Sequence, residues 1–174
     1  MGHLHNSLGV HLLSSVTWNV EDTDEIIFCD ACMDRLAFWY PNCCQGFFSP
    51  VPPHLVGKTI FFYEALAAMS AFDNLQGMGI YDLKIVVYTD SMNTMNTFNS
   101  LHCQPIFNPL LHFCVDSCIK YKLDLQVLHI PGVRNEVTDA LSHRNFKKAL
   151  SLMPDLQIEH FQPPHCATLG AAKK

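Results

Sequence analysis

Asp30, Glu64, Asp90 and Asp139 each fall at the end of an apolar run or on the apolar side of a helical one, where an unpartnered carboxylate is costly. Four acids brought from separate elements to within about 4–6 Å would repel one another by several kcal/mol at an effective dielectric near 20. A divalent cation relieves that repulsion. Magnesium prefers oxygen ligands and keeps several waters, leaving places for phosphate oxygens. Two such ions activate a water on one side of a phosphodiester and stabilise the leaving oxygen on the other. The chemistry these residues point to is metal-dependent phosphodiester hydrolysis.

Taken singly, the acids are less specific. Asp139 also suits the positive end of a helix, and Asp90 a turn after a strand. Glu64 is harder to account for otherwise, because an acid flanked by Phe61, Phe62, Ala65 and Ala68 needs a partner. The four together are a stronger signal than any one.

The elements that must position them follow from patterning. Glu25 to Ala31, Leu36 to Tyr40 and Gln45 to Phe48 are short β-branched and aromatic runs, the second stopped by Pro41-Asn42 and the third by Pro50, Pro52 and Pro53. Three strands in so little chain predict an antiparallel meander. Thr59 caps a helix to about Gln76, ended by Gly77 and Gly79, with a core stripe of Phe61, Ala65, Ala68, Phe72 and Leu75 and with Glu64 on its edge. Leu83 to Tyr88 is unbroken and apolar, as expected of a strand buried on both faces. Ser91 or Asn93 caps a short helix to Leu101, and Phe107 to Tyr121 carries another. Leu123 to Ile130 forms a further strand, ended by Pro131-Gly132, and Asn135 caps a final helix from Glu136 to about Leu152.

This order predicts an α/β domain with a five-stranded mixed sheet, a three-strand antiparallel meander followed by right-handed strand-helix crossovers, and helices on its faces. We expect an N-terminal connector over 1–24, the domain over 25–152 and a C-terminal tail over 153–174. In the first strand and after the fourth, Asp30 and Asp90 would share one rim of the sheet, with Glu64 and Asp139 reaching it from helices.

Composition bounds the partners. The chain has 174 residues, 49% of them apolar, which suits one compact domain with a single core. With 11 basic against 16 acidic residues it is not a strongly basic fold coating nucleic acid by charge alone. The net charge of −5 nevertheless includes the four acids, and bound divalent ions would turn the local field positive. Eight cysteines scattered through apolar runs read as reduced, buried thiols rather than a secreted disulfide framework. No window approaches a membrane span. These features predict a soluble protein of the cytoplasm or nucleus.

The segments Phe28-Cys-Asp30-Ala-Cys-Met, Phe62-Tyr-Glu64-Ala-Leu-Ala, Val87-Tyr-Thr-Asp90-Ser-Met-Asn and His129-Ile-Pro-Gly-Val-Arg-Asn135-Glu-Val-Thr-Asp139-Ala-Leu-Ser resemble the four acidic motifs of the ribonuclease H family. The resemblance covers roughly residues 25–150 and is nearest to the domain that follows the reverse transcriptase in retrotransposons, particularly the tyrosine-recombinase type. Leu12 to Val20 also resembles the connector between polymerase and nuclease in such polyproteins. The resemblance implies a ribonuclease H-like fold and cleavage of the RNA strand of RNA-DNA hybrids. It further implies two Mg2+ ions, replaceable by Mn2+, and a fused or associated reverse transcriptase as a partner. Residue by residue, Asp30, Glu64, Asp90 and Asp139 would be the metal ligands. His129 matches the histidine that assists proton transfer or product release, and it also reads as a strand-end histidine bonded to backbone. Asn93 and Asn135 would meet nucleic acid, with Asn135 mainly a helix cap. Substrate choice would come from A-form shape and 2′-hydroxyl contact.

The chain departs from the family in two places. Met33-Asp34-Arg35-Leu36 occupies a turn where small residues are usual, and Leu101-His-Cys-Gln-Pro-Ile stands where many members carry a basic, aromatic-bearing extension. Arg144, Lys147 and Lys148 share one face of the last helix, suited either to phosphates or to a solvated helix end. Other readings are a zinc module on Cys29, Cys32, Cys43 and Cys44, disfavoured because thiols 29 and 32 on one strand point to opposite faces, and an integrase-like or exonuclease domain, disfavoured by the His129-to-Asp139 segment. The main rival is a domesticated domain that keeps the fold and acts as a binding module.

Overall fold

A computed structural model describes residues 18–102 and 104–165. Residues 1–17 of the expected 1–24 connector and 166–174 of the expected tail lie outside the described residues. The strands are β1 (Glu25–Ala31), β2 (Arg35–Tyr40), β3 (Gln45–Pro50), β4 (Lys84–Thr89), β5 (Asp124–His129) and β6 (Gln157–His160). The helices are α1 (Ile60–Gly77), α2 (Met92–Ser100), α3 (Asn108–Tyr121), α4 (Glu136–Ser142) and α5 (Phe146–Leu152). The strands form one sheet in the order β5-β4-β1-β2-β3-β6. The β1-β2-β3 part is antiparallel, and β4, β5 and β6 join it in parallel pairings. The mixed sheet with its leading meander and covering helices is the expected architecture.

Alternation along β1 divides the core between the two faces of the sheet. Ile27 and Cys29 join the larger core with α1, α2 and α3, whereas Phe28 packs toward the smaller one built on Ala37, Trp39, Ala140 and Leu141. Phe28 stacks on Trp39 and Tyr88 at ring-centroid distances of 5.6 and 5.1 Å, fixing three neighbouring strands side by side. Fully buried side chains such as Ile27 and Leu141 contribute about 1.5–3 kcal/mol each.

Local signals start the helices where expected. Thr59 Oγ1 accepts from Phe62 N at 3.3 Å, and Ser91 Oγ accepts from Thr94 N at 3.3 Å, so Ser91 rather than Asn93 is the cap of α2. The stripe on α1 differs from the periodic reading. Every residue from Phe62 to Phe72 is buried while Phe61 stands 46% exposed, because α1 lies between the sheet and the helices α2 and α3 and is covered nearly all round.

Two further differences lie toward the C-terminus. The sheet has six strands instead of five, since β6 pairs with β3 from Gln45↔Gln157 to Phe48↔His160. This strand falls in the segment read as a tail, and Phe161 just beyond it is buried with its ring 4.7 Å from that of Phe38. Four residues with no apolar alternation gain their order from a distant edge, a contact that local pattern does not encode. The final helix, expected as one piece over 136–152, is two. Arg144 takes a left-handed φ of 54°, and Asn145 starts α5 afresh by accepting from Lys148 N at 3.2 Å. Arg144 therefore lies in a turn and does not share a helix face with Lys147 and Lys148.

No helix among the described residues is long and apolar enough to cross a membrane.

Candidate metal centre

The rim of the sheet where β1 and β4 end collects the acids. Parallel pairing sets Phe28 level with Tyr88, and two residues on, Asp30 and Asp90 emerge at the same height. Glu64 reaches the rim from α1, where its Oε1 accepts the Ala31 N–H at 3.3 Å. One carboxylate oxygen from each of Asp30, Glu64 and Asp90 lies within 4.8 Å of the others. Among the described residues this is the only group of three or more side chains able to hold a metal ion, and it contains no thiol.

Burial and like charge dominate its electrostatics. Asp30 is pushed up to about 6, first by desolvation and further by Asp90 and Asp139, with the Ser142 hydrogen bond opposing. Glu64 is pushed up to about 9 by desolvation, followed by Asp30 and Asp90. The nearby Cys29 thiol is raised mainly by its burial. Glu64 is only 6% exposed and its Oε2 meets no hydrogen-bond donor among the described residues. An orphaned, buried oxygen beside two more carboxylates is a hard-oxygen donor set in want of a cation, and it fits Mg2+ or Mn2+.

Asp139 stands apart from this trio. Its carboxylate is 47% exposed and faces Lys148 Nζ at 3.7 Å and His143 Nε2 at 3.5 Å. It remains near enough to Asp30 to raise that group's pKa. His129 ends β5 beside Thr89, one residue before Asp90, and is exposed at the same rim. The loop after β5 closes on Asp90. A Cβ at Gly132 would lie 3.2 Å from Asp90 Oδ2, so the absence of a side chain there permits the approach.

The residues expected to meet nucleic acid divide. Asn93 is exposed at the start of α2 and lines a cleft of about 690 Å³ with Phe61, Thr97, His102 and Gln104. Arg144 and Lys147 are exposed, and Lys148 is partly so. Asn135 departs from expectation. It is 2% exposed, its Nδ2 donates to the Cys29 carbonyl at 2.9 Å and its Oδ1 accepts from Thr138 Oγ1 at 2.9 Å. It makes no side-chain cap to the backbone of α4, since its amide instead joins Thr138 of α4 to Cys29 of β1.

Ser142 carries a role that the sequence reading did not assign. Its hydroxyl donates to Asp30 Oδ2 at 2.5 Å, and the same oxygen lies 3.0 Å from the Asp139 carbonyl, the longer arm of a shared proton. The available signal was its place three residues after Asp139, on the same side of a helix. Cys32 completes this corner, its Sγ lying 3.4 Å from the Ser142 carbonyl and 3.1 Å from Asp34 Oδ1.

Solved structures share this fold. The LC11 ribonuclease H1 in complex with an RNA/DNA hybrid matches with a TM-score of 0.60 at 18% identity, over 72% of this chain and 99% of that one. Ribonuclease H1 from the halophilic archaeon Halobacterium salinarum NRC-1 matches at 0.56 and 14% identity, over 72% of this chain and 98% of its own. The foamy viral protease-reverse transcriptase in complex with an RNA/DNA hybrid matches at 0.52 and 9% identity, over 78% of this chain but 21% of that much longer one. No protein-family model and no curated protein matches the chain. At these identities the likeness establishes the ribonuclease H-like fold.

Proposed function

We propose that the chain is a metal-dependent endoribonuclease that hydrolyses the RNA strand of RNA-DNA hybrids, and that it is part of, or derived from, a retroelement reverse transcriptase of the tyrosine-recombinase type. Its nuclease unit would span 25–152, preceded by a connector. The observation that carries this reading is the trio Asp30, Glu64 and Asp90 within 4.8 Å, with the buried Glu64 Oε2 lacking a partner, on a ribonuclease H-like sheet. Asp30, Glu64, Asp90 and Asp139 would hold two divalent ions. When bound, such ions supply an activated water and stabilise the leaving oxygen of the phosphodiester.

The remaining roles belong to the chain's own groups. Ser142 holds Asp30 in one orientation through its 2.5 Å hydrogen bond. His129, exposed at the rim, would carry a proton to or from the reacting phosphate. Asn93 in the cleft and Arg144, Lys147 and Lys148 around the α4–α5 turn would meet the backbone of the hybrid, recognised by shape and 2′-hydroxyls.

One observation favours a second reading, a hybrid- or protein-binding module without nuclease activity: Asp139 is paired with Lys148 and His143 rather than grouped with the other acids. The two readings part in a cleavage assay with end-labelled RNA in an RNA-DNA hybrid, with Mg2+ or Mn2+. We expect cleavage of the RNA strand but not of duplex DNA, lost in Asp30→Asn and Asp90→Asn. An intact chain that neither cuts the hybrid nor binds Mn2+ at the acids leaves the binding module as the answer.

A further inference from the structure

Asp139 is the one predicted metal ligand whose carboxylate lies outside the trio; His143, one helical turn on, faces its Oδ1, and Lys148, nine residues on and beyond a helix break, faces its Oδ2. Lys148 Nζ lies 3.7 Å from Asp139 Oδ2 and 3.8 Å from Glu136 Oε1. An unbroken helix through this region would carry Lys148 about 13 Å beyond Asp139 along the axis. The break prevents that. Arg144 turns the chain through its φ of 54°, Asn145 N donates to the Ala140 carbonyl at 2.7 Å, and the Asn145 side chain caps α5 on Lys148 N. The first turn of α5 is thereby folded back against α4, and the ammonium reaches the acid.

We propose that Lys148 is a positioning residue that supplies at Asp139 Oδ2 the positive charge a second divalent ion would otherwise bring there, so that an ion binding this oxygen competes with the ammonium. This rests on reading the acids as a divalent-ion site. Glu136 gives the displaced ammonium somewhere to go, since the lysine already stands between the two carboxylates. The pair is loosely held, because Lys148 is 40% and Asp139 47% exposed, and a dication attracts a carboxylate more strongly than a single charge at equal distance. Among the described residues no lysine or arginine forms an ion pair with an acid of the trio. Lys148 therefore sets the gap between the two metal affinities and leaves the tighter one alone.

The test is Mn2+ binding by the intact chain without nucleic acid, followed by the electron paramagnetic resonance signal of free Mn2+. Wild type is compared with Lys148→Met, Lys148→Gln and Lys147→Met, each checked for its thermal unfolding transition. Lys147 removes the same charge from the same helix turn without an ion pair among the described residues. Wild type is expected to bind one ion more tightly than a second. Lys148→Met and Lys148→Gln tighten the weaker constant by about two- to fivefold and leave the tighter one unchanged, whereas Lys147→Met changes neither. A weaker constant that does not move in the Lys148 variants, or moves equally in Lys147→Met, overturns the proposal and leaves the metal-site reading standing. So does a wild type that binds a single ion. A wild type that binds no Mn2+ overturns both.

Discussion

The hydroxyl of Ser142 donates to Oδ2 of Asp30 across 2.5 Å, joining the last turn of α4 to the end of β1 inside the acidic rim. The bond favours the charged form of a carboxyl that burial pushes the other way. Ser142→Ala removes it, so the Asp30 carboxyl rises above its value of about 6 and Mg2+ must displace a proton over a wider pH range. We expect hybrid cleavage to need higher Mg2+ at pH 7 and to recover as pH rises, at a stability cost of about 1 kcal/mol. Magnesium titrations of activity at pH 6, 7 and 8 read this directly.

Glu64 makes metal-free stability depend on pH. Its folded pKa of about 9 lies above the ordinary 4.5, so between those values the folded state holds a proton that the unfolded state has lost. Stability is fullest below the lower value and falls as pH rises, by at most about 1.4 kcal/mol per pH unit. Asp30 adds to the fall between its ordinary 3.8 and about 6. Glu64→Gln flattens this dependence and stabilises the metal-free chain at pH 8 by about 1–3 kcal/mol. Saturating Mg2+ reverses the order, because only the wild type retains all three ligands. Denaturant unfolding at pH 5 and pH 8, with chelator or with Mg2+, checks both signs.

Asn135 acts as a tie between α4 and β1. Asn135→Ala leaves the Cys29 carbonyl and the Thr138 hydroxyl without their partners in a buried place. A loss of about 1–3 kcal/mol is expected from unsatisfied buried groups. If Asn135 instead met substrate, the variant would unfold like wild type and bind hybrid more weakly. Chemical unfolding alongside hybrid affinity below the transition distinguishes these outcomes.

Phe161 anchors the sixth strand. Phe161→Ala empties a site against Phe38 in the main core and is expected to cost about 3–5 kcal/mol, as for other buried phenylalanines. An unfolding free energy within about 0.5 kcal/mol of wild type, the range of an ordinary surface substitution, would assign the segment after α5 to a dispensable tail.

Gly46 controls how closely α4 lies on the sheet. A Cβ there would stand 3.0 Å from Leu141 and 3.3 Å from Leu156, both buried. Gly46→Ala presses on the tips of Leu141 and Leu156, which must give by a few tenths of an ångström, and Leu141 is one residue from Ser142. We expect a destabilisation of about 1–3 kcal/mol with reduced Mg2+ affinity at the rim, measured by unfolding and by Mg2+ titration.

The strands of the meander, the parallel strands that follow, the cap Thr59 and the four acids Asp30, Glu64, Asp90 and Asp139 as misplaced charges are legible in the order of residues alone, whereas the choice of Ser91 over Asn93 as a cap is not. The legible features are written in runs of a few residues, where side-chain period, proline and cap chemistry act locally. Tertiary structure decided the rest. Phe61 is exposed although it falls on a helical stripe, because α1 is covered by α2 and α3 and its periodicity no longer marks one face. Gln157 to His160 becomes a strand only because the edge of β3 offers it backbone partners. The break at Arg144 brings Lys148 onto Asp139. Local pattern names the charged groups, but which charge faces which depends on contacts between segments far apart in the chain, and Coulomb energies are set by those distances.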